Sequence, residues 1–77
     1  MPSTPQNPAP IRFKLNSESI ELYNLLKAAG LCESGGRAKW TISEGKVIVD
    51  GTAETRKAAK IFPGSIVEFD GVKIQVE

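Results

Sequence analysis

The sequence predicts an α+β fold in which two short helices pack on one side of a small, mostly antiparallel sheet of about four to five strands. Three observations carry this expectation. Apolar and basic residues alternate over residues 11–15, the period of a half-buried strand. Apolar residues then recur at helical spacing between residues 17 and 30. From Lys46 onward, extended runs are broken by two Asp-Gly steps, the strongest short-range hairpin signal.

Each element follows from local chemistry. Residues 1–10 hold four of the five prolines and almost nothing to bury, so they are expected to form a disordered, partly polyproline-like tail. In IRFKL (11–15), Ile11, Phe13 and Leu15 face one way while Arg12 and Lys14 face the other. In SESIELYNLLKAAG (17–30), Leu22, Leu25, Leu26 and Ala29 share one helical arc. Ser17 or Ser19 is suited to cap that helix and Gly30 to end it. A second helix starts at Ser34 and stops at Gly45, little more than two turns, so it needs packing to persist. Asp50-Gly51 and Asp70-Gly71 then mark hairpins, and FPG (62–64) marks a turn. The whole of 11–77 reads as a single domain.

Composition bounds the function. The chain has 77 residues, 40% of them hydrophobic and 25% charged, with a net charge of +1. A domain of this size buries only about 60% of its unfolded surface, so its core is small and an enclosed substrate pocket is not expected. The single cysteine, Cys32, excludes an intramolecular disulfide and fits a reducing cytoplasm. The N-terminal residues lack the basic and apolar regions of a signal peptide, and no stretch is apolar enough to cross a membrane. With no histidine, a histidine-based triad is excluded, and so is the usual zinc site. No Gly-rich phosphate loop occurs, and the carboxylates are scattered. The expectation is a protein without catalytic residues, metal, cofactor or small-molecule substrate.

Charge is unevenly placed. Residues 37–60 carry six basic and three acidic side chains, while the rest of the chain carries four basic and six acidic. The second helix opens with SGGRAKW (34–40). On a helical wheel Ala38 and Ile42, with Thr41 beside them, form a narrow apolar stripe, Arg37 and Lys39 flank it, and Trp40 points nearly opposite. Gly35 and Gly36 occupy the first turn, where backbone N–H groups lack intrahelical partners and the helix dipole favours an anion such as phosphate. The same glycines would also serve a sharp helix–helix turn, and Arg37 and Lys39 an ordinary solvated face. Trp40 is suited either to stack on a base or ribose, as exposed aromatics do on single-stranded RNA, or to cover apolar surface of the N-terminal strand. A second basic group, Arg56, Lys57 and Lys60, follows the first hairpin, with Glu54 and Arg56 on one face if that segment is extended.

Taken together, LLKAAGLCESGGRAKWTISEGKVIVDG and ETRKAAKIFPGSIVEF resemble the S-four RNA-binding domain, or αL motif. The shared positions are Ser34, Ala38, Ile42, Gly45, Val47, Val49, Asp50, Gly51, Pro63, Gly64, Ile66 and Val67. ESG, AK, the EG-V-VDG pattern and ETRK bring the chain nearer still to the YbcJ-like group of small stand-alone bacterial proteins. The resemblance implies a non-catalytic, cytoplasmic, ribosome-associated monomer that binds structured RNA, ribosomal or transfer RNA, through the second helix and following hairpin. By position it implies contacts from Ser34, Arg37, Lys39, Lys46, Arg56, Lys57 and Lys60; the wheel adds Gly35, Gly36 and Trp40. The wider family has further basic residues where this chain has Gly35, Gly36, Thr41 and Ser43, which implies a weaker grip. Asp50 stands where asparagine is common. The alternative is a small protein–protein adaptor on the same fold, using Trp40 and the sheet edge.

Overall fold

The structure is a computed structural model and describes residues 10–77; apart from Pro10, the expected Pro-rich tail lies outside the described residues. The elements run β1 (Ile11–Phe13), β2 (Ile20–Glu21), α1 (Leu22–Ala28), α2 (Gly35–Ser43), β3 (Val47–Val49), β4 (Thr52–Ala53), β5 (Lys60–Ile61), β6 (Ile66–Phe69) and β7 (Val72–Val76). Five strands form one sheet in the order β1-β7-β6-β3-β4, and β2 pairs with β5 in a separate two-stranded sheet. Only β1 against β7 is parallel; the other pairs are antiparallel, as expected for the fold class.

Both Asp-Gly steps turn the chain as anticipated. Asp50 and Gly51 have φ of 50° and 86°, and Asp70 and Gly71 have 54° and 79°. Two consecutive left-handed residues define a type I′ turn, whose twist matches the strands it joins. These turns close β3–β4 and β6–β7. Asp50 also ties its hairpin to the next: its N–H donates to the Ile66 carbonyl at 2.8 Å, and its Oδ1 accepts the Ile66 N–H at 2.9 Å.

Pairing register sorts the sheet into two faces. Val49, Val67, Ile74 and Ile11 lie in one row and Val47, Phe69 and Val72 in another, all turned toward the helices. Ile48, Glu68 and Lys73, with Ile66, Gln75 and Arg12, line the opposite face. On the covered side Leu22, Leu25 and Leu26 of α1 and Ala38 and Ile42 of α2 join Val47, Val67 and Ile74, all fully buried. The expected apolar arc of α1 is thus its packing face, with Ala29 half-buried at its margin.

The start of α1 differs from the sequence expectation. Neither Ser17 nor Ser19 caps it; the Ser17 hydroxyl donates to the Ser19 carbonyl, and the helix begins only at Leu22. The preceding residues are drawn into β2, where Ile20 and Glu21 pair with Ile61 and Lys60. The first-turn N–H groups of Leu22 and Tyr23 then donate to the carbonyls of Ala59 and Lys57, at 2.9 and 3.2 Å. A distant backbone satisfies the donors that a serine would otherwise have capped. This contact anchors the 57–60 segment beside the helices.

Candidate nucleic-acid interface

Helix α2 is built as its sequence suggests. The Ser34 hydroxyl accepts the Arg37 N–H at 3.1 Å, the expected N-cap. Ala38, Thr41 and Ile42 are buried, and the Thr41 hydroxyl is satisfied by the Arg37 carbonyl at 2.9 Å. At the other end Gly45, with φ 76°, lets the chain reverse. Its N–H donates to the Ile42 carbonyl at 2.9 Å and the Lys46 N–H to the Thr41 carbonyl at 3.4 Å, a Schellman closure. That closure folds Lys46 back over the helix it follows.

The result is a cationic cluster around one indole. Trp40 lies outside the core at 46% exposure. The Arg37 guanidinium carbon stands 4.7 Å from a Trp40 ring centroid, and Lys46 Nζ stands 5.0 Å from it. Such cation–π contacts orient long side chains while leaving their charge free.

Lys39 leaves the helix on another side and lies over Tyr23, with Nζ 4.6 Å from the ring. Tyr23 is the hinge of the arrangement. Its ring also borders Gly35, where an added Cβ would meet Tyr23 Cδ2 at 3.8 Å, and its backbone N–H holds the Lys57 carbonyl. The start of α2 and the 57–60 segment thus meet at one residue. Nothing in the sequence singled out Tyr23, because its role depends on β2 displacing the helix start.

Gly35 and Gly36 are not needed for a sharp turn. Neither has positive φ, and a Cβ on either would meet no atom nearer than 3.8 Å. Their N–H groups have no partner among the described residues.

Arg56 differs from the other basic residues. Its Nε and Nη2 donate to the two Glu54 carboxylate oxygens at 2.9 and 3.1 Å, and its backbone N–H also reaches Glu54 Oε2 at 3.0 Å. The pairing anticipated for an extended segment is therefore formed, so Arg56 brings little net charge to the surface. The other ion pair among the described residues joins Arg12 to Glu77 at 2.6 Å, away from α2. Arg37, Lys39, Lys46, Lys57 and Lys60 have no carboxylate partner among the described residues. Lys60 faces Glu21 in the β2–β5 register without closing an ion pair.

The side-chain hydrogen bonds from Arg56, with its backbone N–H, hold the Glu54 carboxyl down at about 2, from an ordinary 4.5. Because the folded value lies below the unfolded one, the pair contributes above the ordinary carboxylate range and is lost as pH falls through about 2. Carbon-detected NMR titration is expected to place Glu54 near that value, and R56A is expected to move it part of the way back toward the ordinary range, since the backbone N–H of residue 56 still reaches the carboxylate. A normal titration in the unsubstituted protein would contradict the pairing.

Among the described residues, no group of acidic, cysteine or histidine side chains is arranged to hold a metal ion. No helix among them is long and apolar enough to cross a membrane.

Comparison with known proteins matches this architecture. The chain is 53% identical over 57 residues to YbcJ of Escherichia coli (strain K12), a candidate RNA-binding protein, covering 74% of this chain and 81% of the relative. It is 39% identical over 59 residues to the probable ribosome maturation protein RlbA of Bacillus subtilis (strain 168), covering 77% and 83%. The solution structure of E. coli YbcJ, described as revealing an αL motif involved in RNA-binding, superposes with a TM-score of 0.70 and 42% identity over 99% of this chain and 98% of that one. The family model for the S4 domain spans residues 13–77, from the first strand to the end of the sheet, and the chain belongs to the S4 domain family.

Proposed function

We propose that this protein binds structured RNA, ribosomal or transfer RNA, by gripping its phosphate backbone with the exposed side of α2 and the 57–60 segment. One observation carries the reading. Five cations from two separate stretches, Arg37, Lys39, Lys46, Lys57 and Lys60, stand without carboxylate partners on elements joined at Tyr23, in a chain whose net charge is only +1. Phosphates are the complementary charge. The unpartnered N–H groups of Gly35 and Gly36 add donors at the positive end of α2, with no side chain to hold a phosphate away.

The S4 domain membership, the RNA-binding description of the YbcJ structure and the ribosome-maturation name of RlbA all support this reading. Recognition rests on shape and charge, because an A-form helix shows a protein mainly its backbone and 2′-hydroxyls. The role is binding rather than chemistry, and it belongs in the cytoplasm, where the RNA partner is found. Arg56, tied to Glu54, shapes the loop and contributes less than its neighbours.

The test is the affinity for a folded ribosomal or transfer RNA fragment measured across a salt series. Five phosphate contacts predict that log K falls linearly with log salt at a slope of about −3.5 to −4.5. A flat dependence, or no binding at low salt, would overturn the reading.

A further inference from the structure

Helix α2 carries one feature that a backbone grip on a continuous RNA helix does not use. The Trp40 indole is 46% exposed, outside the core, with two unpaired cations held over its rings. Those cations come from different places, Arg37 one turn earlier on the helix and Lys46 beyond the Gly45 reversal. Neither a core position nor an ion-pair network explains an aromatic side chain so placed. A paired A-form helix has no use for it, since its bases are stacked inside the duplex.

We infer that Trp40, flanked by Arg37 and Lys46, is a seat for one unpaired nucleotide next to the helical RNA that the rest of the surface grips. The inference rests on the RNA reading above and adds what that reading leaves open, the kind of RNA feature selected. An unpaired nucleotide supplies a flat base for the indole and a phosphate for the cations. Stacking of a base on an aromatic ring outweighs a surface cation–π contact. A base can therefore displace a cation from the ring, and the freed guanidinium or ammonium meets a full negative charge instead. The site has its cations within reach before the nucleotide arrives, so little ordering is required on binding.

Trp40 is the only tryptophan in the chain, so intrinsic fluorescence reports on this site alone. The experiment titrates the full chain with a blunt RNA duplex and with the same duplex carrying a short unpaired adenosine overhang. The overhang is expected to tighten binding about tenfold, as one base–aromatic stack does, and to quench the emission further. In Trp40→Leu most of that preference is expected to be lost, leaving only the few-fold gain from the overhang's phosphate on Arg37 and Lys46, while Trp40→Phe, which keeps an aromatic face, retains a clear preference. Equal affinity and equal quenching for the two RNAs in the unsubstituted protein would overturn the inference while leaving backbone binding intact. A preference that survives undiminished in Trp40→Leu would overturn it as well. Binding to neither RNA would overturn the RNA reading and this inference with it.

Discussion

Replacing Arg37, Lys39 and Lys46 together by alanine is expected to weaken binding to structured RNA about a hundredfold near physiological salt. The figure follows from counterion release: a contact that contributes about 0.7–0.9 to the salt slope is worth roughly fivefold at about 0.15 M salt. The salt slope should fall by about 2 to 3 units in the same variant. All three side chains lie on the solvent side of α2 or just beyond it, so the fold should be retained. Arg12 and Lys73 make the informative control. They sit on the opposite face of the sheet, Arg12 tied to Glu77 and Lys73 across from Glu68. Removing both also lowers net charge, yet should change affinity by less than about threefold, because exposed charges beyond a Debye length are screened. Filter binding or fluorescence anisotropy on both variants separates placement of charge from its total. Equal losses in the two would show that only net charge matters.

The second large effect concerns the packing that holds α2 in place. Ile42 is fully buried among Leu, Val and Ile side chains of α1 and the sheet. Ile42→Ala is expected to cost about 2–4 kcal/mol, the removed methyl groups plus the residual cavity. A domain this small has a total stability of about 4–10 kcal/mol, so the loss is a large fraction of it. Urea unfolding followed by circular dichroism should show the midpoint falling by about a third or more with little change in slope. Ser43→Ala, on the exposed side of the same helix, should stay within about 0.5 kcal/mol of the unsubstituted protein. A shift of that small size for Ile42→Ala would mean that α2 is not anchored by its buried stripe.

Much of this arrangement was legible in the sequence, for identifiable reasons. The two Asp-Gly turns, the Ser34 cap and the Ala38–Thr41–Ile42 stripe are local devices whose chemistry is contained within a few residues. The start of α1 was not legible, because its donors are satisfied by residues 57 and 59, more than thirty positions away. Tyr23 was missed for the same reason. The parallel pairing of β1 with β7 is likewise nonlocal: alternation marks a strand but does not name its neighbour. At the site, spacing gave the identity of the cations but not their partners. It left Arg56 open between a carboxylate and the solvent, and geometry puts it on Glu54. Lys46 read as the start of a strand, and the reversal at Gly45 turns it back onto Trp40 instead.

The glycines at the start of α2 show how an unexplained choice becomes informative. An alanine at Gly35 or Gly36 would fit the isolated chain and favour the helix by about 0.5–1 kcal/mol each. The molecule forgoes that stability where the proposed function puts a phosphate against bare backbone N–H groups.

Amide shift mapping by NMR during titration with a structured RNA tests the central claim most directly. The account predicts that the perturbed signals are those of Gly35, Gly36, Arg37, Lys39, the Trp40 indole N–H, Lys46 and residues 57–60, while Arg12, Lys73 and Gln75 stay still. Perturbations concentrated on Ile66, Lys73 and Gln75, with α2 silent, would contradict it and make the open face of the sheet the binding surface.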